Sequence, residues 1–519
     1  MAFKHRSIAY LLSILLFVSL HVANGIPPET ICGSTVNPTY CKNILANQNG
    51  NIYDYGRISI RKSLSQSRKF MNSIDSHLQG GSSLSQSTIR ALEDCRFLAE
   101  LSFEYLSNTY TTTNQSSNVL PTSQAEDFET FLSAVLTNQQ TCLEGLNTIA
   151  SDQRVKNDLL SSLSDDMKLH SVTLALFKKG WVPKNKIRTS WPQNGKHLNF
   201  KNGRLPLKMS NKARAIYDSA RRNGRKLLQT NTNEDSVVVS DVVVVSQDGS
   251  GNFTAINDAV AAAPNNTVAS DGYFFIFITK GVYQEYVSIP KNKKYLMMVG
   301  DGINQTVITG DHNVVDGFTT FNSATFAVVG QGFVAVNITF RNTAGPSKHQ
   351  AVALRSGADM STSYTGTFEG LSGTHCIPIP LSAPLIEEWH IFPNHLASHI
   401  RKLAPPSPAK IDDLAPKVGT VQTYLGRPWK EYSRTVFMQS FTDSFINPAG
   451  WHEWNGDFAL NTLYYAEYGN RGSSTANRVT WTGYHVIGAT DAANFTVSNF
   501  LSGDDWIPQT GVPYSSRLI

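Results

Sequence analysis

The chain has few cysteines, modest charge and no long apolar run after its N-terminal region. Five cysteines in 519 residues exclude a small disulfide-rich scaffold. Charged residues make up 16% of the chain and hydrophobic residues 41%, proportions that exclude a coiled coil and general disorder. No later apolar stretch approaches the ~20 residues of a membrane-spanning helix. The length allows two or three globular domains.

The net charge of +5 conceals two regions of opposite sign. Residues 1–230 hold 28 Lys and Arg against 16 Asp and Glu, whereas residues 231–519 hold 17 against 24. An acidic second region argues against a main domain that binds nucleic acid. We therefore expect no nucleic acid among the partners.

The first 25 residues have the pattern of a cleaved secretory signal. Lys4 and Arg6 precede a mostly apolar stretch over 8–22, and small residues follow at 23–25. The alternative is a membrane anchor, but the apolar stretch is shorter than the ~20 residues of a spanning helix. We expect a secreted protein. Six Asn-x-Ser/Thr sequons are candidate glycosylation sites and support secretion weakly: Asn114, Asn252, Asn265, Asn304, Asn337 and Asn494.

Four cysteines lie early in the chain, at Cys32, Cys41, Cys95 and Cys142, and Cys376 stands alone. An even number in a secreted region predicts two disulfides, and spacing alone leaves three connectivities open. A zinc site is the alternative, but no Cys-x-x-Cys pair or nearby histidine favours it. We expect no metal.

Residues 30–180 have the periodicity of amphipathic helices. Apolar residues recur three and four apart, as at Leu92, Cys95, Leu98 and Ala99. Polar clusters, such as 108–119, are predicted to separate the helices. Short connections between such helices favour an antiparallel bundle.

Residues 178–226 have the composition of an exposed basic linker. They hold 15 Lys and Arg against one acidic residue, Asp218. Solvation explains this charge better than nucleic-acid binding does. The run Arg225-Lys226-Leu227-Leu228 follows, and a basic pair in exposed chain is accessible to a processing protease. Basic composition alone is the competing explanation.

After residue 236 short β-strands replace the helices. No amphipathic helices alternate with them, which argues against a doubly wound sheet. A sandwich and a coil of stacked parallel strands both fit the composition. The clearest apolar runs are 237–239, 242–245, 273–279, 295–299, 326–329, 333–340, 435–438 and 463–465.

Three motifs follow one another in this second region. They are Asp-Gly-Ser-Gly-Asn-Phe-Thr at 248–254, Asn-Thr-Ala-Gly-Pro leading to His-Gln-Ala-Val-Ala-Leu-Arg over 342–355, and Tyr-Leu-Gly-Arg-Pro-Trp at 424–429 with Trp-His-Glu-Trp at 451–454. Together they closely resemble plant pectin methylesterases (pectinesterases). The helical region with its four cysteines resembles the inhibitor domain that many of these enzymes carry as a pro-region. The resemblance covers nearly the whole chain except about 371–410.

The resemblance implies an all-α four-helix bundle followed by a right-handed, single-stranded parallel β-helix. The expected order is a signal peptide (1–25), an inhibitor-like pro-domain (26–180), a basic linker with a processing site (181–230) and the β-helix domain (231–519). It also implies disulfides that pair Cys32 with Cys41 and Cys95 with Cys142, and processing at Arg225, Lys226, Leu227 and Leu228.

The implied activity is hydrolysis of galacturonate methyl esters in cell-wall homogalacturonan, which yields methanol and free carboxylates without a cofactor. The implied partners are methyl-esterified pectin, a processing protease and pectinesterase-inhibitor proteins, and the implied location of this monomer is the cell wall. In the family one carboxylate attacks the ester, a second protonates the leaving methoxide, and amides stabilise the oxyanion. Thr320, Gln350, Arg427 and Trp429 match the family's substrate-binding positions.

The two catalytic aspartates of the family are missing. After Phe368-Glu369-Gly370 the family has a Gln-Asp pair, and here Ser372 and Gly373 stand in those places. The nucleophile's strand has no counterpart. The segment 371–411 is instead rich in proline, which argues against buried parallel strands. Its histidines His390, His395 and His399 lack the acidic or cysteine ligands of a recognisable metal site.

A shifted reading frame is compatible with this segment. A family-like Asp-Thr-Leu-Tyr-Thr-His-Ser, read one nucleotide late with suitable codons, gives the seven residues of 374–380. We therefore expect a pectinesterase precursor whose catalytic segment is disrupted by a splicing or gene-prediction error. A protein with the sequence as it stands is expected to be inactive. The alternatives are a non-catalytic pectin-binding wall protein and an inhibitor whose bundle alone is functional.

Overall fold

A computed structural model describes residues 26–80, 84–115, 119–149, 151–183, 197–198, 205, 207–220, 237–364, 366–370, 376–378, 424–428, 431–440, 444, 446–472, 477–512 and 514–518. The chain divides into two compact units at 187/188. The first unit is helical, and the second is built mainly from parallel strands. No described helix is long and apolar enough to cross a bilayer.

The described part of the first unit contains six helices: α1 (Pro28–Cys32), α2 (Pro38–Leu45), α3 (Ile52–Gln79), α4 (Gln86–Gln115), α5 (Thr122–Asn147) and α6 (Gln153–Trp181). The four long helices pack as a ring, because α3 contacts α4 and α6 while α5 contacts the same two helices. A capping box begins α3, in which the Asn51 side chain accepts from the N–H of Asp54 and the Asp54 carboxylate accepts from the N–H of Asn51. The expected four-helix bundle is confirmed.

The polar cluster at 108–119 does not end a helix where the sequence predicts it. Helix α4 continues to Gln115. Thr109 and Thr113 are buried, and each hydroxyl donates to the carbonyl four residues earlier, at 2.8 and 2.7 Å. Threonines that satisfy their hydroxyls inside the helix are compatible with a helical interior, so polarity alone misplaced this boundary.

Two disulfides fasten the bundle. Cys32 pairs with Cys41 between α1 and α2, and Cys95 pairs with Cys142 between α4 and α5. This is the pairing that the family resemblance implies. The second bridge joins cysteines 47 residues apart, and both of them are buried.

The second unit contains nineteen described strands and five described helices. In chain order they are β1 (His197–Leu198), β2 (Leu207–Lys208), α7 (Asn211–Ala220), β3 (Val237–Val245), α8 (Ile256–Ala262), β4 (Tyr273–Ile278), β5 (Gly281–Gln284), β6 (Val287–Ile289), β7 (Leu296–Gly300), β8 (Thr306–Gly310), β9 (Phe326–Val328), β10 (Val334–Val336), β11 (Thr339–Asn342), β12 (Leu354–Ser356), β13 (Thr362–Tyr364), β14 (Thr367–Gly370), β15 (Cys376–Pro378), β16 (Arg434–Met438), β17 (Tyr464–Tyr468), β18 (Tyr484–Val486), α9 (Ala489–Ala493), α10 (Val497–Leu501), α11 (Gly503–Trp506) and β19 (Tyr514–Ser515).

Most strands stack as the three faces of a parallel β-helix. Sheet A has the order β13-β10-β7-β4-β3-β2, sheet B the order β14-β11-β8-β5 and sheet C the order β15-β12-β9-β6. All pairings within the three sheets are parallel. Successive strands along the chain therefore move from one face to the next, and the coil of stacked strands is the correct choice over a sandwich. A further parallel sheet, β16-β17-β18, follows later in the chain.

The apolar run 333–340 is not one strand. It divides into β10 and β11 on different faces, and Asn337 between them has φ +58°. Asparagine tolerates this left-handed conformation, which turns the chain sharply. The run is mostly apolar because β10 is buried on both faces, with Ala335 in the interior cluster and Val334 and Val336 in the cluster on the outer side of sheet A, while Phe340 of β11 lies in the interior cluster.

The proline-rich segment also departs from expectation at its start. Cys376–Pro378 forms β15, which pairs with Leu354–Ser356 at the edge of sheet C. Proline at the end of an edge strand removes no ladder donor that a neighbour needs. The His390, His395 and His399 positions lie outside the described residues.

Part of the predicted linker is ordered and belongs to the second unit. Strand β2 pairs with the start of β3, and α7 packs on the outer face of sheet A. Ala213 and Tyr217 on α7 are buried. The linker prediction is therefore wrong for 207–220, because the basic residues of this segment alternate with apolar ones that cover the sheet.

Candidate functional site

Three strands of sheet B end at one edge, and the predicted site residues follow them. Gly310 at the end of β8, Asn342 at the end of β11 and Gly370 at the end of β14 are register partners. Thr320 lies in the segment after β8, and Gln350 lies in the segment after β11. Ser372 and Gly373 follow β14 and lie outside the described residues. Two of the four candidate substrate-binding residues, Thr320 and Gln350, thus lie in segments that leave the same edge.

The segments after β8 and β11 contact each other. The N–H of Val314 donates to the carbonyl of Gln350 at 3.0 Å. Lys348 Nζ lies 2.5 Å from Asp316 Oδ1, and hydrogen bonds from Lys348 and Asn313 lower the pKa of Asp316. The loop that carries the half-buried Gln350 side chain is therefore held in place by these contacts with the segment after β8.

Asn342, at the end of β11, holds the segments after β8 and β11 together. The sequence did not predict this role. Its buried amide Nδ2 donates to the carbonyls of His312 and Val352 at 3.0 and 3.2 Å. Its Oδ1 accepts from the N–H of Ala344 at 3.0 Å. A side-chain amide in the motif at 342–346 was visible, but only the fold shows that it ties both loops to the coil.

An aromatic stack flanks the same edge. The rings of Tyr286, His312 and Phe318 lie in series, with centroids 3.5 and 3.7 Å apart. The Tyr286 hydroxyl donates to Asp311 Oδ1 at 2.6 Å, and burial raises the pKa of this tyrosine. The stack is partly exposed, since 39% of Tyr286 is accessible. A flat apolar surface edged by a carboxylate is suited to contact with a sugar face.

Arg427 belongs to a second cluster. A parallel bridge joins Gly426 to Trp451 and sets the two motifs side by side. The Arg427 guanidinium lies over the Trp454 ring, 4.4 Å from its centroid, and Nη2 donates to the Trp454 carbonyl at 2.8 Å. Trp454 is 36% exposed. Trp451 is buried, so the second tryptophan of the motif, rather than the first, is the one available to a ligand.

The described contacts do not join the two clusters. None of them links Arg427 to Thr320 or Gln350, and no described carboxylate lies within ion-pair distance of Arg427. Trp429 and the processing run Arg225, Lys226, Leu227 and Leu228 lie outside the described residues. Within the described part of the chain, no group of three or more His, Cys, Asp or Glu side chains is arranged to hold a metal ion.

The sequons differ in accessibility. Five sequon asparagines are exposed: Asn114, Asn252, Asn265, Asn304 and Asn494. Asn337 is half-buried at a chain corner, and the buried Thr339 hydroxyl of its sequon accepts from the N–H of Asn304 at 3.0 Å. Glycosylation at all six stays a prediction.

The described groups offer amides, aromatic faces and a cation. The Gln350 amide can donate to an ester carbonyl, and Arg427 over Trp454 offers both a charge and a ring face. Nucleophilic attack needs a carboxylate or another activated nucleophile in the same place. The carboxylates described at the sheet B edge, Asp311 and Asp316, accept hydrogen bonds from Tyr286 and Lys348, and no described contact joins a carboxylate to Arg427.

Family comparisons agree with this division of the chain. The profile of the Pectinesterase family matches residues 242–376 and 408–504, and that of the Plant invertase/pectin methylesterase inhibitor family matches residues 28–176. The interval 377–407 has no match to either profile.

Relatives extend over almost the full length. "Probable pectinesterase/pectinesterase inhibitor 20" of Arabidopsis thaliana is 50% identical, with 96% of this chain and 95% of the relative covered. "Probable pectinesterase/pectinesterase inhibitor 7" of the same plant is 49% identical, with 99% and 98% covered. A solved structure, "Pectin methylesterase from Carrot", is 36% identical, covers 56% of this chain and 100% of its own, and has a TM-score of 0.43. The chain thus belongs to the pectinesterase family and carries an N-terminal domain of the pectin methylesterase inhibitor family.

Proposed function

We propose that this chain derives from a pectinesterase, an aspartyl esterase that hydrolyses methyl esters of cell-wall homogalacturonan to methanol and pectate. The exact sequence lacks both aspartates of that mechanism and is therefore inactive. The proposal includes secretion to the cell wall, processing at 225–228 and action as a monomer. Pectinesterase-inhibitor proteins are proposed partners because the bundle itself belongs to their family.

One observation carries the proposal of inactivity. Arg427 contacts only Trp454 among its described partners, although an arginine of this mechanism holds an ionised carboxylate in place. The gap in the family match at 377–407 begins four residues after Gly373, which together with Ser372 stands in the place of the family's Gln-Asp pair. The Gln350 loop and the aromatic stack are otherwise intact. The damage is thus local to the segment after β14.

The shifted-frame hypothesis makes a specific repair possible. Residues 371–411 can be replaced with the corresponding segment of the Arabidopsis relative that is 50% identical, which is expected to add the missing coils and both aspartates. We expect this repaired chain to release methanol from methyl-esterified pectin, and the chain as written to release none above a buffer blank. Methanol release by the chain as written would contradict the proposal. Failure of both chains, if the repaired one is folded, would contradict the pectinesterase assignment of the remaining site.

Sequencing of transcripts across codons 360–430 decides the origin of the segment. A transcript that encodes a Gln-Asp pair and a second aspartate strand makes the printed segment a gene-prediction or splicing error. A transcript that encodes 371–411 unchanged makes the product a protein without esterase activity.

The second candidate function is non-catalytic binding of galacturonan. The observation that favours it is the exposed Arg427 on the Trp454 ring, which pairs a cation with a stacking surface. Co-sedimentation with de-esterified pectin tests it, with Arg427→Gln as the variant and Arg471→Gln, an exposed arginine elsewhere, as the control. Equal binding by all three chains would eliminate this candidate.

A further inference from the structure

Residues 207–220 cover an apolar face of the β-helix. Side chains of sheet A alternate, so that Phe274 and Ile276 point into the coil while Phe275 and Phe277 point outward. Both outward phenylalanines are nevertheless 0% exposed. The outer face of sheet A is therefore a second apolar core that needs a cover.

Helix α7 supplies much of that cover. The Tyr217 ring lies 5.3 Å from the rings of both Phe275 and Phe277, almost perpendicular to each. Ala213, one turn earlier, is 3% exposed. Edge-to-face contacts of this kind add to the stabilisation from burial itself. The helix is attached through specific packing.

Strand β2 attaches the same segment through the backbone. Leu207 pairs with Val237, and Lys208 pairs with Val238, at the end of sheet A. The Ser210 hydroxyl accepts from the N–H of Ala213 at 3.1 Å and begins the helix. We call residues 207–220 the strap.

The strap precedes the proposed processing run in the chain. Its last residue, Ala220, lies five positions before Arg225. Cleavage at 225–228 would therefore place the strap on the N-terminal fragment, together with the bundle, although its contacts are with the β-helix. The proposed cleavage site therefore lies after a segment that already packs on the β-helix.

We propose that the strap stays bound to sheet A after the chain is cut, so that the N-terminal fragment remains held on the β-helix until the strap is displaced. Loss of the strap would expose the outward phenylalanines to water as a contiguous apolar patch, which opposes dissociation. The partner of this surface is thus a named segment of the same chain. The inference rests on the processing that we propose at 225–228. Its test does not depend on natural processing at that site.

The test uses the full chain with residues 225–228 replaced by the recognition sequence of a site-specific protease. Amide hydrogen exchange of 211–220 is measured before and after the cut. We expect exchange rates that agree within about twofold, because the packing does not depend on the severed bond. Exchange at the rate of an unstructured peptide after the cut would overturn the proposal, and this measurement needs no further variant.

Two matched variants show whether the packed face is responsible. Ala213→Asp places a carboxylate against the buried face, and Ala215→Asp places the same group on the exposed face of the helix. We expect Ala213→Asp to increase exchange of 211–220 at least about tenfold and Ala215→Asp to leave it unchanged, because an unpaired charge is costly only where it is buried. Equal effects would show that the buried face does not hold the strap.

N-terminal sequencing of the secreted protein separates this proposal from the processing proposal. A mature terminus far from 225–228 would refute the processing site. The engineered cut would still decide whether the strap holds.

Discussion

Two buried carboxylates, one in each unit, are accommodated in opposite ways. Glu467 on β17 is 6% exposed and accepts hydrogen bonds from Arg478 Nε at 2.7 Å, Asn470 Nδ2 at 2.9 Å and Trp451 Nε1 at 3.2 Å. Asp166 on α6 is 1% exposed and has no comparable set of donors: Gln66 and Lys69 lower its pKa, but burial outweighs them. One carboxylate is buried as an ion with several donors around it, and the other is buried with too few donors to keep it ionised.

His170 makes the contrast sharper. It lies one turn after Asp166, both side chains line one cavity in the bundle, and a backbone hydrogen bond with Ser63 only partly offsets the effect of burial on the pKa of the ring. Burial raises the pKa of Asp166 to about 7 and lowers that of His170 to about 4. Both groups are therefore uncharged at pH 5 to 6. The Asp166 and His170 pair is accommodated by neutralisation, whereas the β17 network accommodates an ion by surrounding it with donors.

The largest expected effect comes from breaking the Glu467 network. Glu467→Ala removes the carboxylate that balances the charge of the buried Arg478 guanidinium, and the Pro448 carbonyl that accepts from Nη1 carries no charge to replace it, so the free energy of unfolding should fall by about 3–5 kcal/mol. Glu467→Gln keeps an acceptor and should cost less. Glu453→Ala, at a side chain that is 52% exposed, is the control and should be near neutral. Amide exchange of 464–468 measures all three, and equal losses for the Ala and Gln variants would show that the donors do not depend on the charge.

The bundle pair predicts two opposite pH dependences. Asp166 is protonated when folded and ionised when unfolded between pH 4 and 6.5, so it makes stability fall as pH rises. His170 is neutral when folded and protonated when unfolded over the same range, so it makes stability rise with pH. Each slope is about 1.4 kcal/mol per pH unit, and the two cancel in the native chain. Other titratable or charged groups that act on Asp166 are Asp165 on the same helix, Lys69 on α3 and Tyr40 on α2.

Single variants should reveal the two pH dependences of stability that cancel in the native chain. Asp166→Asn should make α6 more resistant to exchange at pH 6.5 than at pH 4.5 by up to about 2.7 kcal/mol, and His170→Gln should have the reverse effect of similar size. The native chain and the double variant should both be nearly independent of pH. Two flat single variants would mean that the groups keep their ordinary pKa values when folded. Intrinsic exchange rates are corrected for pH before comparison.

The sequence predicted the bundle well and its polar interior poorly. Spacing of apolar residues is sufficient for the long helices, because each must bury one stripe. It could not show that Thr109 and Thr113 continue α4, because their hydroxyls are satisfied only once the helix exists. Nor did the basic composition of 207–220 show that Tyr217 covers a sheet, since that depends on residues sixty positions away.

The site was predictable only in part for a similar reason. The motifs around Gln350 and Arg427 can be matched to a family, but their contacts arise from the coil. Asn342 ties two loops together through carbonyls that are remote in sequence. The bridge between Gly426 and Trp451 selects Trp454 as the ring beneath Arg427. Pairings of this type follow from the stacking of coils, which short-range patterns do not encode.

The smallest expected effect tests whether neutral acceptors can hold a buried charge. Lys293 is 8% exposed, and its Nζ donates to the carbonyl of Ala261 at 2.8 Å and to that of Ala263. Burial lowers the pKa of this lysine. Lys293→Met keeps the apolar stem and removes both donors, which should cost about 1–3 kcal/mol because the carbonyls at the end of α8 lose a partner. Lys294→Met is the adjacent control, and amide exchange of 256–263 reports the difference. A stabilised Lys293→Met chain would show that desolvation of the ammonium outweighs its hydrogen bonds. Lys293 would then resemble Asp166, whose partners do not offset burial, rather than Glu467, whose partners do.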